Sequence, residues 1–158
     1  MMIQVDSREK SRAIRKVLAE FDRRGVGHFV SKLYVGDYMN MENPRLVVDR
    51  KQSLIEVCGN VCQDHDRFRA ELIRAYQAGI HVVILVEHSA EVACLEDVLL
   101  WENPRRKKSE KALSGQTLYR ILQTLERKYA CEFQFCDKDE TGARIIEILE
   151  ESNGREED

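Results

Sequence analysis

The chain has 158 residues, a length that bounds it to one domain large enough for a real core. Hydrophobic residues make up 43% and charged residues 34%, the balance of a soluble globular protein, and no apolar run approaches the ~18 residues of a membrane span. The formal charge of −3 argues weakly against a nucleic-acid partner, because the tail from Glu151 to Asp158 carries four acids and one base and leaves residues 1–150 neutral.

In chain order, Ile3 to Val5 reads as a short strand. Met1 to Asp6 has the pattern of that strand rather than of a signal peptide. Ser7 is expected to cap a helix from Glu9 to Arg24 that ends at Gly25, with Ala13, Ile14, Val17, Leu18 and Phe21 at helical spacing. Strands are expected at 28–33, 35–41 and 45–51, with Asn43-Pro44 turning the last two into a hairpin. Helical patterns follow at 53–62 and 66–78, the second closed by Gly79. His81 to Glu87 reads as a strand buried on both faces, being nearly all β-branched or leucine.

Beyond Glu87 a helix is expected at 90–100, then a solvated basic loop at 104–111. A long amphipathic helix is expected at 115–129, a strand at 131–136 and a last helix at 141–149. Residues 151–158 are expected to be a disordered acidic tail. The order predicts an α/β fold: a mixed central sheet flanked by helices.

The most informative segment is Val35-Gly36-Asp37-Tyr38 followed by Val47-Val48-Asp49-Arg50-Lys51. Strand alternation puts Asp49 and Lys51 on one face and Arg50 on the other. A hairpin brings Asp37 close, roughly opposite Arg50, at a sheet edge. Two carboxylates and an ammonium suit metal-assisted phosphodiester hydrolysis. The acids hold a hard cation such as Mg²⁺ or Mn²⁺, and the lysine orients water or stabilises phosphoryl oxygens.

These segments resemble the nuclease domain of the XPF family of structure-specific endonucleases, on the PD-(D/E)xK core. The matching motifs are Asp6-Ser7-Arg8-Glu9, Gly36-Asp37 and Asp49-Arg50-Lys51, with the helix Asp66 to Leu72 and the strand Val82 to Glu87. The likeness covers roughly residues 2–90, and residues 1–150 are taken as a single domain of this type. It implies a metal-dependent endonuclease for branched, flapped or junction DNA. Asp6, Asp37, Asp49 and Lys51 would be catalytic, with the three acids toward the metal, and Arg8, Glu9 and Arg50 would support them. It also implies homodimerisation. Two positions depart from the pattern: Asp49 replaces the usual Glu, and Ile55 stands where an Asp is expected, beside Glu56. The second departure keeps open an alternative, a degenerate module that binds branched DNA or a nuclease partner without cutting. No tandem Gly-x-Gly hairpins of an appended DNA-binding module occur, so the chain is expected to be of the stand-alone bacterial or phage type and cytoplasmic.

Bland readings stand beside each residue. Asp6 could be a helix cap, Gly36-Asp37 ordinary turn chemistry, and Asp49 with Lys51 a surface ion pair. Arg67, Arg69 and Arg74, interleaved with Glu71, fit DNA contact or a solvated face equally. Arg105, Arg106, Lys107 and Lys108 are expected to follow DNA phosphates. Five cysteines are odd in number and suit a reducing compartment. Cys58, Cys62 and His65 could in principle hold zinc, but structural cysteines are commoner. No Gly-rich phosphate loop is present, which argues against ATP hydrolysis.

Overall fold

The structure, a computed structural model, describes residues 1–89 and 91–151. One six-stranded sheet carries the chain: β1 (Met2–Val5), β2 (Gly27–Val30), β3 (Tyr38–Asn40), β4 (Leu46–Lys51), β5 (His81–Glu87) and β6 (Cys131–Cys136). Its spatial order is β2-β1-β3-β4-β5-β6. β3 runs antiparallel to both β1 and β4, while β1 with β2, β4 with β5 and β5 with β6 are parallel. The parallel pairs need crossovers, and helices supply them: α1 (Ser11–Arg23), α2 (Leu54–Val61) with α3 (His65–Gln77), and α4 (Gly115–Lys128). α5 (Thr141–Glu151) closes the described chain.

Alternation along β5 explains the two layers. Val82, Ile84 and Val86 pack with Leu54, Phe68, Leu72, Leu118 and Leu122 of α2, α3 and α4. Val83 and Leu85 pack on the other face with Ile14, Val17, Phe21, Ile145 and Leu149 of α1 and α5. Both faces are covered, so every residue from Val82 to Glu87 is buried. Phe133 and Phe135 of β6 also lie in the first of these layers, although β6 is an edge strand. Among the described residues no helix is long and apolar enough to cross a membrane.

Several boundaries differ from the pattern-based expectation, each for a local reason. Ser7 caps nothing; α1 starts at Ser11 after Lys10, which makes no side-chain cap bond. The expected strands at 28–33 and 35–41 shorten to Gly27–Val30 and Tyr38–Asn40. Between them Leu33 and Val35 are buried outside the sheet, and the Leu33 amide donates to Asp6 Oδ1 at 2.8 Å instead of to a strand. The expected helix at 90–100 reduces to a 3₁₀ turn, Leu95–Leu100, since the Asp97 carboxylate draws the Ala93 amide into a local bond at 2.9 Å. Its first residue, Ala90, lies outside the described residues. The expected basic loop holds a short 3₁₀ turn, Pro104–Lys107, capped by the Asn103 side chain. The expected disordered tail, beyond Glu151, lies outside the described residues.

One glycine decides the site. Gly36 has φ +77°, which L side chains rarely adopt, and a Cβ there would stand 2.9 Å from Val47 Cβ. The backbone can therefore run hard against β4 just before Asp37. The Asp37 amide then donates to Val48 O at 2.8 Å.

Candidate active site

The expected acids and base meet at the ends of the central strands, not at a lateral sheet edge. β3 pairs with β4 so that Tyr38 faces Val48. One step further along this register, Asp37 comes beside Asp49, and its Oδ2 accepts the Arg50 amide at 2.8 Å. Proximity of Asp37 to this segment was legible in the sequence; the carboxylate partner was not. Asp49 lies near enough for its charge to raise the Asp37 carboxyl. Lys51 Nζ lies 3.4 Å from Asp49 Oδ2 and 5.4 Å from the Phe68 ring centroid. Arg50 points to the opposite face, as alternation demands.

These side chains line a cleft of about 440 Å³ whose other walls are Asp6, Arg8, Glu9, Gly36, Glu56, Arg67, Ala70, Glu71 and Arg74. Asp6 is nearly inaccessible, and both its oxygens are engaged: Oδ1 with the Leu33 amide at 2.8 Å and Oδ2 with Arg8 Nε at 2.8 Å. Arg8 also donates to Leu33 O at 3.1 Å. Asp6 thus fixes the approach to Gly36 and holds Arg8 at the cleft. Beneath the acids, Arg50 Nε donates to Glu87 Oε1 at 2.7 Å and Nη1 to Glu9 Oε2 at 3.4 Å. Tyr38 donates its hydroxyl to the same Glu9 oxygen at 3.1 Å.

Two residues absent from the expected site belong to the cleft. Glu71 on α3 reaches the Gly36 amide with Oε1 at 3.4 Å. Arg67, Glu71 and Arg74 form one helical stripe at i, i+4 and i+7, and that stripe faces the cleft. Spacing sets the three on one stripe beside the buried side of Phe68, Leu72 and Ala75, but not what that stripe faces. Arg69 takes the other side of α3 and donates to the Tyr129 hydroxyl at 3.1 Å. Glu56 serves its own helix: its carboxylate accepts the Gln52 amide at 2.7 Å, and its amide donates to Ser53 Oγ.

The basic turn from Arg105 to Lys108 does not line the cleft. Arg106 and Lys107 border a separate hollow with Leu99, Trp101 and Gln116, and Arg106 donates to Ala112 O at 2.7 Å. No zinc centre assembles at Cys58, Cys62 and His65. The His65 ring faces Cys62 O and the Asp66 carboxylate, and burial, helped by Cys62, pushes the Cys58 thiol up to about 11.

Electrostatics set the protonation of the site. The Asp37 carboxyl is held well above the usual carboxylate range, first by burial, then by the charges of Asp49 and Glu9, against the opposing Arg50 amide. Glu9 and Glu71 are raised too, chiefly by burial. Lys51 is raised although burial opposes it, because Asp49, Glu56, Asp37 and Glu71 surround it. It is therefore an ammonium at neutral pH, a donor and not a base.

This donor set fits a hard divalent cation. It offers carboxylate oxygens, and the charges of its acids repel one another. Among the described residues no group of three or more His, Cys, Asp or Glu is placed to hold a metal ion. Mg²⁺ typically needs only one or two carboxylates and keeps several waters.

A mixed sheet with acids and a lysine at its central strand ends defines a nuclease-type α/β domain. The chain belongs to the ERCC4 domain family, an XPF-type nuclease family, whose model matches residues 5–149. Its fold is that of XPF from Aeropyrum pernix, at 21% identity and a TM-score of 0.64, over 96% of this chain and 61% of that one. A second structure, of XPF from Aeropyrum pernix in complex with DNA, matches at 21% identity and a TM-score of 0.67, over 98% of this chain and 66% of that one. The chain thus spans somewhat less than two thirds of the archaeal chains. No curated protein matches it in sequence.

Replacing Asp37 by Asn should stabilise the metal-free protein at neutral pH. A carboxyl whose pKa is raised on folding contributes stability that is full below its unfolded pKa and is lost as pH rises through the folded value. Asn keeps the acceptor for the Arg50 amide and a donor toward Asp49 without the charge. The variant should melt about 2–4 °C above wild type at pH 7, a shift of ~1 kcal/mol, and no higher at pH 3. Calorimetry at both pH values checks this, and Mg²⁺ should raise the melting point of the wild type alone.

Proposed function

We propose that this chain is a divalent-metal-dependent endonuclease that hydrolyses phosphodiester bonds in branched, flapped or junction DNA. The carrying observation is Asp37 beside Asp49, its Oδ2 taking the Arg50 amide at 2.8 Å, with the Lys51 ammonium 3.4 Å from Asp49, in a cleft walled by Arg8, Arg67 and Arg74. Membership in the ERCC4 family and the fold shared with an XPF solved with DNA support the substrate. The reading is of the bacterial or phage type of the family, acting inside the cell.

In this mechanism Asp37 and Asp49 would hold Mg²⁺ or Mn²⁺, with Asp6 beside them. The bound cation would supply Lewis acidity and a water more acidic than bulk water. Lys51 would donate to a phosphoryl oxygen or to the attacking water, and being cationic it would stabilise the negative charge that builds on the phosphoryl oxygens as the ester bond breaks. Arg8, Arg67 and Arg74 attract and seat the phosphate. Arg50 holds Asp37 through its amide, and its guanidinium ties Glu9 to Glu87 beneath the site. The turn from Arg105 to Lys108 adds affinity for the DNA backbone away from the chemistry.

One observation favours a second reading, a non-cutting module for branched DNA or a nuclease partner. Ile55 occupies the position of an expected acid, and neighbouring Glu56 is committed to its own helix start. Homodimerisation also belongs to the proposal. The helix α4 and the strand β6 are the candidates for the contact; the Phe133 and Phe135 rings are buried, which leaves the outer face of α4.

Asp49→Asn should retain its circular dichroism and lose cleavage of flap, fork and four-way DNAs with Mg²⁺ and Mn²⁺. Activity within about twofold of wild type would sink the assignment, and a wild type that binds these DNAs without cutting them would establish the second reading. A triple replacement of Arg105, Lys107 and Lys108 by Ala spares the Arg106 tie to Ala112. It should weaken binding to all DNA sequences and flatten the salt slope by up to about three units, with cleavage at saturating DNA unchanged. Sedimentation at micromolar concentration should show twice the chain mass; a monomer alone would remove the dimer from the proposal.

A further inference from the structure

Among the described residues, Tyr34 is the one exposed aromatic ring that meets an arginine of the cleft. It sits three residues before Asp37, with 62% of its surface exposed. Its neighbours Leu33 and Val35 are buried, so the side chain between them is turned outward. The segment that carries it is tied down on both sides. Ser31 bonds to Val5, the Gln4 amide reaches Ser31 O and Lys32 O, and Leu33 is held by Asp6 and Arg8. On the far side the Gly36 amide meets Glu71. The Arg74 guanidinium lies 5.3 Å from the centre of the Tyr34 ring and also lines the cleft.

We propose that Tyr34 and Arg74 form a stacking site for one unpaired base next to the scissile phosphate. The inference rests on the nuclease reading above and names the feature of branched DNA that this chain recognises. An exposed ring loses apolar burial unless something covers it, and the flat face of a nucleobase is a fitting cover. Stacking tolerates any base, since every base presents a π face. Paired bases inside a duplex cannot offer that face, so the platform selects a nucleotide already freed at a flap or fork. Arg74 acts twice, stiffening the ring from one side and drawing the adjacent phosphate into the acid cleft. The rigid backbone mount lowers the ordering entropy of binding.

The test compares the Tyr34 protein with Tyr34→Ala and Tyr34→Phe, each carrying Asp49→Asn so that the DNA stays intact. The DNAs are a forked duplex with 2-aminopurine as its first unpaired nucleotide and a fully paired duplex of the same sequence, in Mg²⁺. Tyr34→Ala should bind the fork about tenfold more weakly and the duplex within about twofold of the parent, while Tyr34→Phe matches the parent on both. The bound 2-aminopurine should be quenched with Tyr or Phe at position 34 and brighter with Ala. Equal losses on fork and duplex, or Ala indistinguishable from Phe, would overturn the stacking site while leaving the nuclease reading intact. A parent protein that binds neither DNA would overturn both.

Discussion

Arg50 is the residue on which the site depends. Its amide belongs to β4 and donates to the Asp37 carboxylate, on the face that carries Asp49 and Lys51. Its guanidinium crosses to the other face and is buried between Glu87 of β5 and Glu9 of the turn before α1. One residue therefore ties β4, β5, the segment just before β3 and the turn before α1 together. A buried ion pair earns little net stability, but losing one partner strands the others, at a typical cost of about 3–5 kcal/mol. Thr141 adds a hydrogen bond to the same Glu87 oxygen at 3.0 Å and so joins α5 to the arrangement. The network lies on the α1 and α5 side of the sheet, and the cleft opens toward α3.

The cleft itself is built against electrostatic relaxation. Burial raises the carboxyls of Asp37, Glu9 and Glu71, and the nearby charge of Asp49 raises all three further. A fold that holds acids in this way stores a strong affinity for positive charge. Lys51 answers part of it from inside, and Arg8 and Arg74 answer part at the rim. The arginines line the cleft together with the acids. The site thus sorts its charges by depth, with carboxylates inside and guanidiniums outside.

Hydrophobic burial explains why this order is stable. β4 and β5 are covered on both faces, so their ends are the places where charged residues can leave the core and still be held rigidly by it. Asp49, Arg50 and Lys51 are all at most 9% exposed, though they close a strand. Gly36 performs the complementary task on the neighbouring strand by letting the backbone touch Val47, which a side chain would prevent.

Much of the frame was legible in the chain itself. Strand alternation is local physics, so Val47-Val48-Asp49-Arg50-Lys51 announced which side chains share a face, and the run Val82 to Val86 announced a strand with no solvent face. The Gly36-Asp37 step and the acids at 6, 37 and 49 could be read as one constellation from their order. Glu71 and Tyr34 could not, because their roles depend on how α3 is rotated about its axis over the sheet. Propensity and spacing are silent on that rotation; it is set by the packing of Phe68, Leu72 and Ala75 against β5 and its neighbours. Short-range periodicity thus determined the elements and the faces of the strands. Only tertiary packing decided which helical stripe walls the acid cleft, because an azimuth is fixed by contacts between residues far apart in the chain.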